Sequence, residues 1–138
     1  MPRSSPKFHK GKTILLAEDE ELVQDFIRYL LMLNNYDVIV AENGVEALEQ
    51  SREHSGEIHL LLSDVQMPQM TGTELAAQIT IERPNIKIIL MSGFSAEMLA
   101  LNHDWQFLPK PFDADTLMER IRTVLGDTRV SGLKLGMN

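Results

Sequence analysis

The sequence predicts an α/β fold in which one parallel β-sheet is covered by helices on both faces. Five short apolar runs alternate along the chain with segments whose apolar residues recur at helical spacing. Two of the runs, LLL at 60–62 and IKIIL at 86–90, are almost continuously apolar, which is typical of strands buried on both sides. The repeated strand-helix unit therefore indicates five parallel strands in a doubly wound sheet.

Each predicted strand is a short run of β-branched and large apolar residues that ends near a turn signal or a polar side chain. In chain order they are TILLA (13–17), DVIVA (37–41), IHLLLS (58–63), NIKIILMS (85–92) and QFL (106–108).

Helices are predicted after each strand, and turn residues mark several of their bounds. Asn43-Gly44 precedes the second helix and Pro84 stops the third. The predicted helices cover 22–33, 45–54, about 72–83, a short piece near 96–102, and 114–125. We expect one apolar stripe of the first helix to pack against the sheet, namely Leu22, Phe26, Leu30 and Leu33.

The length of 138 residues suits one ordinary domain, which buries roughly two-thirds of the surface that its unfolded chain exposes. Residues 1–12 contain two Pro, two Ser and five basic side chains, so we expect a flexible N-terminal segment. The predicted domain covers 13–126, and a C-terminal tail covers 127–138.

The charge and cysteine content exclude several classes of function. The formal net charge of −7 and the pI of about 5.0 disfavour nucleic acid and anionic membranes as partners. The absence of Cys excludes disulfides, thiolate metal sites and thiol nucleophiles, and it fits a reducing compartment. Without an apolar run near the ~20 residues of a membrane span, and without a secretion signal, we expect a cytoplasmic protein.

Polar side chains follow four of the predicted strands. Glu18 and Asp19 end the first strand, Asp64 the third, Ser92 the fourth, and the fifth runs into Lys110. The carboxyl ends of parallel strands meet at one edge of the sheet, where ligands of this fold class bind. We therefore expect these five side chains to lie together.

Such a set favours phosphoryl chemistry. Three carboxylates repel one another unless a divalent cation joins them, and an all-oxygen ligand set suits Mg²⁺. Lys110 would add a positive charge and Ser92 a hydroxyl donor, and phosphoryl transfer needs mainly positioning and charge neutralisation. Asp64 would then be the nucleophile that accepts the phosphoryl group.

Four motifs, in this order, resemble the receiver domain of two-component response regulators. They are LLAEDEE, LLSDVQMPQMTG, LMSGFS and FLPKPF, and the resemblance covers about residues 12–126. It implies a five-stranded flavodoxin-like fold. It also implies transfer of a phosphoryl group to Asp64 from a phosphohistidine on a histidine kinase or a histidine phosphotransfer domain.

The resemblance also implies roles for single residues. Asp19, Asp64 and the backbone carbonyl of Gln66 would ligate Mg²⁺, while Glu18 would act largely through bound water.

Ser92 would bond one phosphoryl oxygen and Lys110 would pair with another, with a cis peptide before Pro111. The hydroxyl of Ser92 and the aromatic ring of Phe107, which stands three residues before the lysine, would form the conformational switch.

Two other functions share some of these sequence features. A haloacid dehalogenase type phosphohydrolase also uses a strand-end aspartate, but it needs a second acid where this chain has Gln66. A receiver could instead act as a docking surface without being phosphorylated. We expect a signalling phosphoacceptor rather than an enzyme, with only autocatalytic phosphorylation and dephosphorylation. The motifs resemble receivers of hybrid histidine kinases more than those of transcription factors, so the receiver would act either alone or within a hybrid kinase.

Overall fold

The computed structural model describes residues 11–93 and 104–127. Its elements, labelled here in chain order, are β1 Thr13–Ala17, α1 Glu21–Leu33, β2 Asp37–Ala41, α2 Gly44–Glu53, β3 Leu60–Asp64, α3 Gly72–Glu82, β4 Lys87–Ser92, β5 Gln106–Pro109 and α4 Ala114–Leu125. The short helix predicted near 96–102 lies outside the described residues.

The five strands form one parallel sheet in the order β2-β1-β3-β4-β5. The chain leaves β1 toward one side of the sheet to form β2 and returns to the other side of β1 to form β3. The strand order therefore reverses between β1 and β3, and this is where ligands of doubly wound sheets bind. The predicted fold class is confirmed.

Helices cover both faces of the sheet because the strand side chains alternate between two cores. On one face, β-strand residues such as Ile14 and Leu62 pack with apolar residues of α1 and α4. On the other face, residues such as Leu15 and Leu61 pack with α2 and α3.

The predicted strand bounds differ slightly from the observed ones. The fourth strand begins at Lys87 rather than at residue 85, because the N–H of Ile86 is bonded to the carbonyl of Arg83 in a turn. The third strand starts two residues later than predicted and extends through Asp64, so that this acid is its last residue.

The expected buried stripe of α1 is wrong. Leu22 is 83% exposed, Phe26 48% and Leu33 60%, whereas Ile27 and Leu31 are fully buried. The helix carries more apolar residues than one face can hold, and the face that docks on the sheet is one residue further along. Its outer face therefore exposes large apolar side chains, which are Leu22, Phe26, Tyr29, Met32 and Leu33.

Two residues just outside the predicted domain bounds contact each other. Lys12 Nζ donates to Asp127 Oδ1 at 2.6 Å and to the carbonyl of Leu125 at 3.0 Å, and the hydroxyl of Tyr36 donates to Asp127 Oδ2. The division into segment, domain and tail stays a prediction. Within the described part of the chain, no helix is long and apolar enough to cross a bilayer.

Candidate functional site

The polar residues at the strand ends meet in one open pocket of about 290 Å³ at the carboxyl edge of the sheet. Its lining comprises Asp19, Glu20, Asp64, Gln66, Ser92, Gly93 and Lys110. Glu18 lies behind this lining and is fully buried. The structure thus brings together all the residues expected at this edge, from four separate strands.

Three carboxylates converge at the pocket. Glu18, Asp19 and Asp64 each offer one oxygen, and these oxygens lie within 4.8 Å of one another. Glu18 Oε2 accepts a hydrogen bond from the N–H of Glu20 at 3.0 Å, while Glu18 Oε1 has no hydrogen-bond partner among the described residues. A buried carboxylate oxygen without a donor, beside two further carboxylates, fits a hard divalent cation.

Burial raises the pKa values of Glu18 and Asp64. Loss of hydration raises the pKa of Glu18 from its ordinary value of 4.5 to about 7, and the charge of Asp64 adds to this shift. Burial also raises the pKa of Asp64, although the ammonium of Lys110 opposes the shift. The site therefore concentrates negative charge that a cation would stabilise.

Lys110 supplies the positive charge of the pocket. Its Nζ lies 3.2 Å from Asp64 Oδ2 and 3.9 Å from Glu18 Oε1. The N–H of Lys110 donates to the carbonyl of Ser92 at 2.9 Å, which ties the loop after β5 to the end of β4. The Lys110–Pro111 peptide bond is cis, as the resemblance implied.

The loop after β3 is held close to Asp64 by a glycine. The N–H of Val65 donates to the carbonyl of Met91, and the N–H of Gly72 donates to the carbonyl of Val65. A Cβ at Gly72 would lie 2.1 Å from the carbonyl oxygen of Asp64, so only glycine fits there. Sequence analysis missed this requirement, although the glycine directly after the helix cap Thr71 in MPQMTG was a visible signal.

The two residues of the predicted switch lie on neighbouring strands. Ser92 is buried at the end of β4 and lines the pocket. Phe107 lies in β5, is partly buried, and packs against the core on the α2 and α3 face.

An apolar groove adjoins the acidic pocket. This groove of about 410 Å³ is lined by Glu20, Leu22, Val23, Phe26, Lys110, Pro111 and Phe112. It shares Glu20 and Lys110 with the acidic pocket, so the exposed face of α1 continues directly into the site.

A family model for the response regulator receiver domain matches residues 14–122 of the chain. The chain belongs to this family. Receivers are signalling phosphoacceptors of two-component systems, so the predicted family and function are confirmed at this level.

Two curated relatives come from Brucella abortus. The chain is 38% identical over 117 residues to the sensor kinase CckA, with 82% of this chain covered but only 12% of the kinase. It is also 38% identical over 120 residues to the response regulator receiver protein CpdR, which covers 83% of this chain and 97% of CpdR. The chain is thus similar both to part of a large kinase and to nearly all of a small receiver.

Solved receiver structures share the fold. The receiver domain of the hybrid histidine kinase CckA is 35% identical with a TM-score of 0.73, covering 82% of this chain and 98% of that structure. The response regulator TrrA from Thermotoga maritima, determined in complex with Mg²⁺ and BeF, is 30% identical with a TM-score of 0.74 and the same coverage.

Proposed function

We propose that Asp64 accepts a phosphoryl group from a phosphohistidine on a histidine kinase or histidine phosphotransfer domain, and that this switches the signalling surface of the protein. The observation that carries the proposal is the position of the Asp64 carboxylate. It ends β3 at the reversal of strand order, lines an open pocket, and lies 3.2 Å from Lys110 Nζ beside two other acids.

Asp64 suits the role of nucleophile better than the other two acids do. Glu18 is fully buried and does not line the pocket, and one of its oxygens accepts a hydrogen bond from the N–H of Glu20. Asp19 is exposed and therefore accessible, but it is Asp64 whose carboxylate accepts a hydrogen bond from the ammonium of Lys110. That ammonium can offset the negative charge that builds up when two anions meet.

For phosphoryl transfer the protein needs mainly to position the reacting groups and to neutralise the charge on the phosphoryl oxygens. An oxygen of Asp64 forms a bond to phosphorus while the phosphorus–nitrogen bond to the donor histidine breaks, and the electron pair stays on the imidazole nitrogen. Lys110 would pair with one phosphoryl oxygen, and the hydroxyl of Ser92 would donate to another. Phe107, in the strand beside Ser92, would repack as the second part of the switch.

The carboxylates fit Mg²⁺. Asp19, Asp64 and the carbonyl of Gln66 would hold the ion, and Glu18 would contact it through water. Bound Mg²⁺ would neutralise part of the charge on the phosphoryl oxygens. The similar receiver TrrA was determined in complex with Mg²⁺ and BeF, which supports Mg²⁺ as the ion.

We further propose that the protein carries a phosphoryl state rather than turning over a metabolite, and that it does so in the cytoplasm, where kinases have ATP. Two residues after Asp64 the chain has Gln66, whose amide is too weakly acidic to protonate a leaving group as a general acid. A hydrolase of the haloacid dehalogenase type would need an acid at that position.

The donor protein would dock on the outer face of α1. This face exposes large apolar side chains and continues into the groove beside Lys110. Exposed acids, among them Glu20, Glu21 and Asp25, flank it. A partner with an apolar centre and a basic rim would complement this surface and place its histidine over the pocket.

The experiment is incubation with Mg²⁺ and acetyl phosphate, followed by intact mass measurement. We expect the wild type to gain one phosphoryl group, and the gain to disappear in Asp64→Asn and in the presence of EDTA. Asp25→Asn, which changes an exposed acid on α1, is the matched control and should be phosphorylated normally. A folded wild type that binds Mg²⁺ and stays unmodified would support a docking function instead.

A further inference from the structure

β5 is an edge strand, and two of its residues turn their backbone groups to the open side. The N–H of Lys110 bonds to β4, and backbone groups of successive residues in a strand point to opposite sides. Phe107 and Pro109 therefore face away from β4. Pro109 has no N–H, and the carbonyl of Phe107 accepts a hydrogen bond from Nη1 of Arg120 in α4 at 2.5 Å.

The Arg120 bond joins parts of the protein that lie on different faces of the sheet. The side chain of Phe107 packs with the core on the α2 and α3 face. α4 packs on the opposite face, where Leu117 and Ile121 are buried. Arg120 reaches around the open edge from the second face and holds the backbone of the residue whose ring lies on the first.

Such a bond responds to small movements of the strand. A guanidinium donor is planar and charged, so its hydrogen bond to a carbonyl is strong and depends on geometry. If the ring of Phe107 repacks by more than a change of rotamer, the backbone of Phe107 moves with it and its carbonyl shifts or rotates. The hydrogen bond from Arg120 would then either move the Arg120 side chain and α4 with the carbonyl, or break.

We propose that Arg120 is a positioning residue that transmits the state of Phe107 to α4, so that the surface of α4 changes when the site is loaded. This inference rests on the proposed function, because Phe107 must respond to a phosphoryl group at Asp64. The surface of α4 is then part of the output, and Arg120 sets how strongly it responds.

The opposite edge of the sheet offers a matched control. There, Nε2 of Gln50 in α2 donates to the carbonyl of Val40 in β2 at 3.0 Å. This bond also joins a helix side chain to an edge-strand carbonyl, but it is far along the sheet from Phe107. Gln50→Ala removes an equivalent contact without touching the proposed path.

The test measures amide hydrogen exchange with and without Mg²⁺ and beryllium fluoride, a stable mimic of the phosphoryl group. Fluorine NMR reports whether the mimic is bound. In the wild type we expect exchange in α4 to change by about fivefold or more, the lower end of typical coupling between sites. Arg120→Met keeps the aliphatic contacts but lacks donors, so it should bind the mimic and show the change in β5 but not in α4.

Two further variants separate coupling from general stability. Arg120→Lys restores a charged donor and should recover part of the α4 response, whereas Gln50→Ala should respond like the wild type. A full α4 response in Arg120→Met, or an unchanged α4 in the loaded wild type, would overturn the inference alone. Failure of the wild type to bind the mimic would overturn the proposed function together with it.

Discussion

Replacing Glu18 by Gln should stabilise the metal-free protein at neutral and alkaline pH. Glu18 is fully buried, and burial raises its pKa from 4.5 to about 7. The native state therefore binds more protons than the unfolded state between these pH values, so stability falls as the pH rises. The contribution of protonated Glu18 to the free energy of unfolding is fully present below about pH 4.5 and is lost by about pH 7.

The size of the effect follows from the pKa shift. A shift from 4.5 to about 7 corresponds to about 3 kcal/mol of unfolding free energy that the wild type loses across this pH range. The Gln amide does not titrate, but it lacks the attraction to Lys110 that the charged carboxylate has. We therefore expect Glu18→Gln to be more stable than the wild type by about 1–3 kcal/mol near pH 8.

Urea unfolding in EDTA across this pH range measures the effect. Glu53→Gln, which alters an exposed carboxylate at the end of α2, is the control and should keep the wild-type pH dependence. Mg²⁺ should restore stability to the wild type, by about 2.7 kcal/mol at a hundredfold excess over Kd, and should stabilise Glu18→Gln less. If the unfolding free energy of Glu18→Gln keeps the wild-type dependence on pH, the buried acid is not the cause of that dependence.

Three further variants test the pocket and its surroundings. Lys110→Met should slow phosphorylation by acetyl phosphate about 10²-fold, because a charge-neutralising donor is lost; an unchanged time course by intact mass would refute this role. Gly72→Ala places a Cβ 2.1 Å from the carbonyl oxygen of Asp64, so urea unfolding should show a loss of about 3 kcal/mol. A smaller loss, under about 1 kcal/mol, would mean that the loop shifts freely. Phe26→Glu should weaken transfer from a phosphorylated histidine protein about tenfold or more while leaving the acetyl phosphate rate unchanged. Equal loss with both donors would place the defect in the site rather than in docking.

The strands, and the edge of the sheet where the polar side chains meet, could be predicted from the sequence because both depend on local order. Apolar runs mark buried parallel strands, and the acids, the hydroxyl and the lysine directly follow them. In a doubly wound sheet this sequence position alone decides that side chains meet at one edge. Glu18, Asp64 and Lys110 therefore came together as predicted.

The features that could not be predicted depend on packing between distant elements. The predicted stripe of α1 shares Leu30 with the stripe that packs on the sheet, which comprises Val23, Ile27, Leu30 and Leu31. Periodicity cannot tell which of the two stripes faces the sheet. The bond between Arg120 and the carbonyl of Phe107 depends on the position of α4 against an edge strand. Gly72 has a signal in the sequence, because it directly follows the helix cap Thr71, but the reason for it does not: the close atom is the carbonyl oxygen of Asp64, eight positions earlier in the chain.

Asp64, among the three converging acids, should carry the phosphoryl group. Borohydride reduces an acyl phosphate of aspartate to homoserine, so reduction after treatment with Mg²⁺ and acetyl phosphate labels the acceptor permanently. Peptide mass spectrometry should then find homoserine at position 64, with Glu18 and Asp19 unchanged. Reduction at Asp19 or Glu18, or a modified protein without any label at position 64, would contradict the account.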